Sequence, residues 1–175
     1  MSAEADEEFR EFMRGRWPAM VRLAYGLTGD QGHAEDVAQA AFARAYASWS
    51  RVAGTGDPEA YVRRIVINEN RSRLRKRRVK ENLVGAVPER PGQPAADTAD
   101  AVSDNSALLS ALRKLAPRQR AVIVLRYWMD MSEAETAAAL NCSAGTVKSQ
   151  ASRALATLRG IPELRGTELM EGELQ

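Results

Sequence analysis

Along most of this chain apolar residues return every three or four positions, and nowhere do they alternate with the period of two that marks a strand. The pattern is sharpest between Ser143 and Arg159, where Val147, Ala151, Ala154, Leu155 and Leu158 form one narrow stripe. Thr146, Ser149, Ser152 and Arg153 lie opposite, with Lys148 and Gln150 on the flanks. Ser143 is placed to cap that helix, since its hydroxyl can accept from an orphan amide of the first turn. Upstream, Ser132-Glu133-Ala134-Glu135 has the spacing of a capping box and opens a short helix ending near Leu140. Two short helices joined at Asn141-Cys142, the second with small polar and basic groups outside, make a helix-turn-helix pattern. Small side chains let such a helix sink into the major groove while Arg and Lys reach bases or phosphates. An ordinary helical hairpin with a solvated face has the same pattern, so this stretch alone does not decide.

The first part of the chain reads as three further helices. From about Glu7 to Leu27 the inward positions are Phe9, Phe12, Met13, Met20, Leu23, Ala24 and Leu27, with a kink or break expected at Trp17-Pro18. Thr28-Gly29-Asp30 is a turn, and Asp30 or a near neighbour can cap a second helix running to about Trp49. That helix has two apolar ridges: Val37, Ala41 and Ala45, then Ala38, Phe42, Tyr46 and Trp49. Burying both requires partners on two sides, either two helices of its own domain or one helix and another protein. A loop over residues 51–56 follows, and Asp57-Pro58 starts the third helix. Tyr61, Val62, Ile65 and Val66 face its core. Arg64, Asn68, Arg71, Arg75 and Arg78 fall at intervals of four, three, four and three on the other side, as one stripe. Beyond Glu69 apolar positions thin out, so the end of this helix should project past the core.

Residues 87–106 change character, with Pro88, Pro91, Gly92 and Pro94 followed by Ala, Asp and Ser. They read as a flexible, mildly acidic linker. A helix restarts at Ala107 (Leu108, Leu109, Leu112, Leu115), and Pro117 opens another that should pack beneath the helix-turn-helix. The expected fold is all-α: two small helical domains, residues 1–86 and 107–160, with a linker over 87–106 and an acidic tail over 161–175 that is frayed or partner-dependent.

Charge is segregated, although the net charge is only +2. Acid collects at Glu4, Asp6, Glu7, Glu8 and Glu11 and again at Glu163, Glu168, Glu171 and Glu173, while base collects over residues 63–80. A charge run is often only a solvated face, but Arg63, Arg73, Lys76, Arg77 and Lys80 surround the stripe with almost unmixed positive charge, which favours a polyanion. The single cysteine, Cys142, excludes an internal disulfide and fits a reducing compartment; its place between two helices suits a small apolar packing residue. The acidic start does not read as a secretory signal, and no apolar run approaches the roughly 20 residues needed to cross a bilayer. A cytoplasmic protein is expected.

Catalytic constellations are missing. One histidine (His33), one cysteine and no Gly-rich phosphate loop supply neither a triad nor a usual zinc site. Glu35 and Asp36 are adjacent on a helix and point apart, so they are not an acid/base couple. An enzyme is not expected.

Four segments carry a family resemblance. Leu27-Thr-Gly-Asp with Ala34-Glu-Asp-Val-Ala-Gln, and Pro58-Glu-Ala-Tyr-Val-Arg-Arg-Ile-Val-Ile-Asn with its arginine-rich end, resemble regions 2.1–2.2 and 2.3–2.4 of the extracytoplasmic-function (group IV) sigma factors of bacterial RNA polymerase. Leu115-Ala-Pro-Arg-Gln-Arg-Ala-Val-Ile-Val-Leu-Arg-Tyr and Ser143-Ala-Gly-Thr-Val-Lys-Ser resemble their region 4. The likeness covers residues 9–80 and 107–159 and is nearest to the actinobacterial SigE-like group. Ala40 stands where the family usually has an acidic residue, and Gln150 where arginine is frequent.

The resemblance implies a promoter-specificity subunit without cofactor or metal, whose catalysis belongs to core RNA polymerase. Asp36, Gln39 and Phe42 would meet the β′ clamp helices, and region 4 the β flap. Residues 51–57 and the following helix would read and open the −10 element, a flipped base of the non-template strand being held in a protein pocket. Arg63, Arg64, Asn68, Arg71, Arg75 and Arg78 are the candidates on that strand. Thr146, Lys148, Ser149, Ser152 and Arg153 would enter the major groove of the −35 element. An anti-sigma factor is a further partner of many family members, and membrane insertion is not implied. Two other readings stay open on the residues: a helix-turn-helix regulator binding operator DNA as a dimer, and an adaptor that sequesters a protein on the Val37–Trp49 ridges.

Overall fold

A computed structural model of the chain describes residues 3–84 and 101–164. Among the described residues every regular element is helical, and the chain divides into two units, Met1–Gln93 and Pro94–Gln175.

The first unit is built on α1 (Ala3–Thr28), α2 (Gln31–Ala47), the single turn α3 (Trp49–Val52) and α4 (Pro58–Val84). α1, α2 and α4 pack pairwise, burying Met20, Leu23 and Leu27 with Val37, Ala41, Val62, Val66 and Ile67. α1 ends as expected: Gly29 adopts a left-handed φ of 71° and its N–H returns to the Tyr25 carbonyl at 2.7 Å. Asp30 then caps α2, its carboxylate accepting the His33 N–H at 2.8 Å.

Three expectations need correction here. α1 runs unbroken through Pro18. The proline removes one helical donor, which costs about 3 kcal/mol in a helix interior, but its ring is exposed and buried anchors lie on either side, Phe9 before it and Met20 after. α2 stops at Ala47, short of Trp49, which starts α3 instead; Ser48 takes φ −123°, ψ 15° and its N–H bonds back to the Ala45 carbonyl. Residues 51–56 are not an open loop: α3 passes into a 3-10 turn over Ala53–Thr55, because Val52 and Trp49 are buried and hold the segment down. Only Gly56, at φ 79°, turns the backbone left-handed before α4.

The second unit holds α5 (Ala101–Lys114), α6 (Pro117–Ile123), a π-helical turn (Val124–Trp128), α7 (Glu133–Leu140) and α8 (Ala144–Arg159). α5 begins six residues before the expected restart, so residues 101–106 are helix and not linker; the remainder of the linker, 87–100, lies outside the described residues. Arg120 joins α5 to α6 by donating to the carbonyls of Leu112 (2.7 Å) and Arg113 (2.9 Å), which answers the unpaired acceptors at the end of α5. Burial, then Arg113 beside it, lowers the pKa of this guanidinium. The expected tail begins with structure: Pro162–Leu164 form a 3-10 turn, with Ile161 and Leu164 buried. Residues 165–175 lie outside the described residues.

Candidate nucleic-acid interface

In the first unit the sequence starts α4 with two signals, the Asp57 carboxylate accepting the Ala60 N–H at 2.8 Å and Pro58 at the first position. Val62, Val66 and Ile67 then turn inward, and the same rotation sends Arg64, Asn68, Arg71, Arg75 and Arg78 to the solvent side, where all five are exposed. Among the described residues Arg64, Arg71, Arg75 and Arg78 have no carboxylate partner. The stripe is therefore a row of uncompensated charge, and it continues through the exposed Lys76 and Lys80.

Arg63 does not belong to that row. One residue's rotation, about 100°, carries it to the edge that faces α1, and its side chain is only 17% exposed. There its guanidinium donates to Glu59 at 2.8 Å, and the other Glu59 oxygen takes Nε of Arg16 on α1 at 3.0 Å. A second cross-link ties Arg44 of α2 to Glu69 of α4 at 2.5 Å. Sequence patterns alone do not single out Glu59, Arg16 or the α3 turn, although the Glu59/Arg63 spacing of four is a visible sign of pairing.

On α2, Asp36 and Gln39 are exposed, as a partner surface requires. Phe42 is not: it is buried, only 2% exposed, under rings of α1, with centroids 6.4 Å from Phe9, 6.3 Å from Phe12 and 5.8 Å from Trp17. Its ridge finds its partner inside the domain, and α4 supplies the second neighbour of α2. The two ridges thus require no second protein, and an adaptor built on them loses its surface; only Tyr46 stays exposed, at 42%. What remains open on this side is a groove of about 360 Å³ between α1 and α2, walled by Phe9, Met13, Trp17, Phe42 and Tyr46 with Gln39 on its lining.

In the second unit the capping signals are realised at both helices. Ser132 N–H donates to Glu135 at 2.7 Å and Glu135 N–H to the Ser132 hydroxyl at 3.2 Å. Asn141 takes the left-handed conformation, φ 52°, which turns the chain between α7 and α8 without a glycine. Ser143 accepts the Thr146 N–H at 3.1 Å. Val147, Ala151, Ala154, Leu155 and Leu158 are buried to the last residue, and half-buried Cys142 packs with Leu140 against the cluster of Val122, Ala137, Val147 and Ala151. Lys148, Ser149, Ser152 and Arg153 are exposed, Thr146 and Gln150 half-buried. Three of these groups are already engaged: Lys148 lies 3.5 Å from Glu133, the Thr146 hydroxyl 2.9 Å from that of Ser143, and the Ser149 hydroxyl donates to the Thr146 carbonyl at 3.0 Å.

Comparison with known proteins decides what these two surfaces belong to. Residues 15–79 match the family model for sigma-70 region 2, and residues 105–158 that for sigma-70 region 4. The chain is 43% identical over 152 residues to the RNA polymerase sigma-E factor of Streptomyces coelicolor, covering 87% of this chain and 84% of that one. It is 34% identical over 146 residues to the ECF RNA polymerase sigma factor SigL of Mycobacterium tuberculosis, covering 79% of each.

The chain belongs to the ECF sigma factors. As such it is an alternative sigma factor, a transcription initiation factor that directs RNA polymerase to promoters. Among solved structures, the sigma factor RpoE from Bartonella quintana, crystallised in complex with the anti-sigma factor NepR, superposes with a TM-score of 0.72 at 26% identity, over 92% of this sigma factor and 99% of that chain. The region 2 match runs from α1 to α4 and the region 4 match from α5 to α8, so each candidate surface lies within a matched region. A stand-alone operator-binding regulator finds no support in these matches. Among the described residues no helix is long and apolar enough to cross a membrane, and no group of His, Cys, Asp and Glu could hold a metal ion.

Proposed function

We propose that this sigma factor grips promoter DNA at two places, using the solvent-side stripe of α4 on the −10 element and the outer face of α8 on the −35 element. The observation that carries the reading is the unpaired row Arg64, Arg71, Arg75 and Arg78 with Asn68 among them. A strand's phosphates complement such a row, and the exposed turn at residues 54–57 at the head of the same helix is where an unstacked base would be met. Arg63 is left out of the contact set, since Glu59 already holds it. On α8, Ser149, Ser152 and Arg153 are the base-reading candidates, and Lys148 and Thr146 reach DNA by giving up weak intramolecular contacts.

Asp36 and Gln39 dock α2 on the β′ clamp helices, with Phe42 shaping that surface from beneath rather than touching the partner. Region 4 meets the β flap. An anti-sigma factor, the kind of partner seen with the Bartonella relative, is a partner for this chain also. The protein works in the cytoplasm beside polymerase and performs no bond chemistry itself. Run-off transcription with purified core polymerase across a genomic fragment library tests the reading. Discrete start sites that vanish on combined replacement of Arg64, Arg71 and Arg75 by alanine are expected; sites that survive it would refute the assignment of α4.

A further inference from the structure

We propose that Glu59 is a positioning residue for promoter opening: it holds the turn at residues 53–57 in place by bolting the start of α4 to α1. The inference rests on the reading that this turn and the stripe behind it meet the −10 strand.

The turn itself has little to hold it. Gly54, Thr55, Gly56 and Asp57 are exposed, and a Cβ added at Gly54 or Gly56 would meet nothing within 4 Å. Its internal bonds are local, Thr55 hydroxyl to the Val52 carbonyl at 2.7 Å and Asp57 to the Ala60 N–H at 2.8 Å. Before the turn, buried Val52 and Trp49 fix the chain to the core. Just after it, in the first turn of α4, comes Glu59, which takes Arg16 of α1 at 3.0 Å with one oxygen and Arg63 at 2.8 Å with the other.

This arrangement is geometrically specific. At that position the carboxylate also complements the helix dipole. Arg63, with its side chain 17% exposed, has Glu59 as its charge partner, and Arg16 ties that carboxylate to α1. Losing the charge of Glu59 frees two guanidiniums at once and leaves Val62 as the first residue after the turn that is fixed in the core. The free energy of folding is spread over the buried apolar residues of α1, α2 and α4, so the domain survives while the turn loses its orientation.

The test measures closed-complex binding and strand opening separately, with the full chain and core polymerase on one promoter. Opening is read by permanganate reactivity of unpaired thymines. Glu59→Gln, and separately Arg16→Gln at an exposed position, are expected to slow opening by about two- to fivefold, the worth of a half-exposed ion pair, with the salt dependence of closed-complex binding unchanged in Arg16→Gln. Glu59→Asp restores part of the rate. Unaltered opening in both Gln variants would overturn the proposal. Arg64→Ala serves as the control on the underlying reading, because it should weaken binding and lower the salt slope. If Arg64→Ala does so while Glu59→Gln opens DNA normally, the α4 interface stands and the role of Glu59 falls. If Arg64→Ala changes neither binding nor slope, the interface reading fails and the proposal with it.

Discussion

The hydroxyl of Tyr46 on α2 donates to the carboxylate of Asp6 in the first turn of α1, 3.0 Å away and forty residues apart in sequence. It is a polar clasp at the end of an otherwise aromatic groove, where the Phe9 ring centroid lies 5.0 Å from that of Tyr46. The hydrogen bond to Asp6, and then the carboxylate's charge, raise the Tyr46 pKa above its ordinary 10.0. The folded state therefore holds the phenolic proton more tightly than the unfolded chain. This contribution is complete below about pH 10, the unfolded value, and is lost as pH rises through the raised folded value. Asp6→Asn should bring the Tyr46 titration down toward the ordinary value, followed by tyrosinate absorbance against a Tyr46→Phe reference. An unmoved midpoint would mean the clasp is not formed in solution.

Replacing Arg64, Arg71 and Arg75 together by alanine should change the log–log salt slope of promoter binding by roughly 2 to 3, with about 0.7 to 0.9 coming from each phosphate that no longer meets a cation. Arg63→Ala should leave that slope alone, because its guanidinium is committed to Glu59. The pair of measurements separates the stripe from its neighbour one position away. Equal slopes for the wild type and the triple variant would contradict the placement of DNA along α4.

On α8, Arg153 is exposed and its side chain has no ion pair among the described residues. Arg153→Ala should reduce discrimination at a single −35 position by about 1–3 kcal/mol, the worth of a bidentate base contact. Lys148→Ala should weaken binding evenly across −35 sequences, as a phosphate contact does. A library of −35 variants transcribed in competition reads both at once.

The parts of this fold legible in the sequence are those set by local chemistry. Asp30, Asp57, Ser132 and Ser143 all cap the helices they precede, because a side-chain oxygen beside orphan amides is a short-range signal. The stripe of α8 is equally clear, since helical period alone decides which residues face inward. What stays hidden depends on partners distant in sequence. Phe42 reads as part of a ridge that a helix of its own domain or another protein could cover until the rings of α1 are laid over it, and Arg63 reads as one more cation until Arg16 and Glu59 close on it. Pro18 reads as a kink or break because propensity registers the missing donor and not the anchors Phe9 and Met20 on either side. The unbroken helix is tertiary burial overriding a local rule.

The cap of α8 offers a way to separate folding from recognition at one atom. Ser143 holds the Thr146 N–H and touches the Thr146 hydroxyl, and it lies at the end of the helix whose first residues lead into the major groove in a helix-turn-helix. Ser143→Ala removes the acceptor and should cost about 1 kcal/mol of stability, with only a modest loss of −35 binding once measured well below the melting temperature. Ser143→Asp keeps an acceptor of similar reach, so thermal stability should be retained. It also places a negative charge at the end of α8 that, on the proposed reading, meets the phosphates, and −35 binding should then fall, most at low salt, where screening is weakest. Melting curves together with salt-resolved promoter binding would show the two losses in opposite variants. A binding loss in Ser143→Ala as large as that in Ser143→Asp would place the start of α8 away from DNA, because cap energy alone would then explain both.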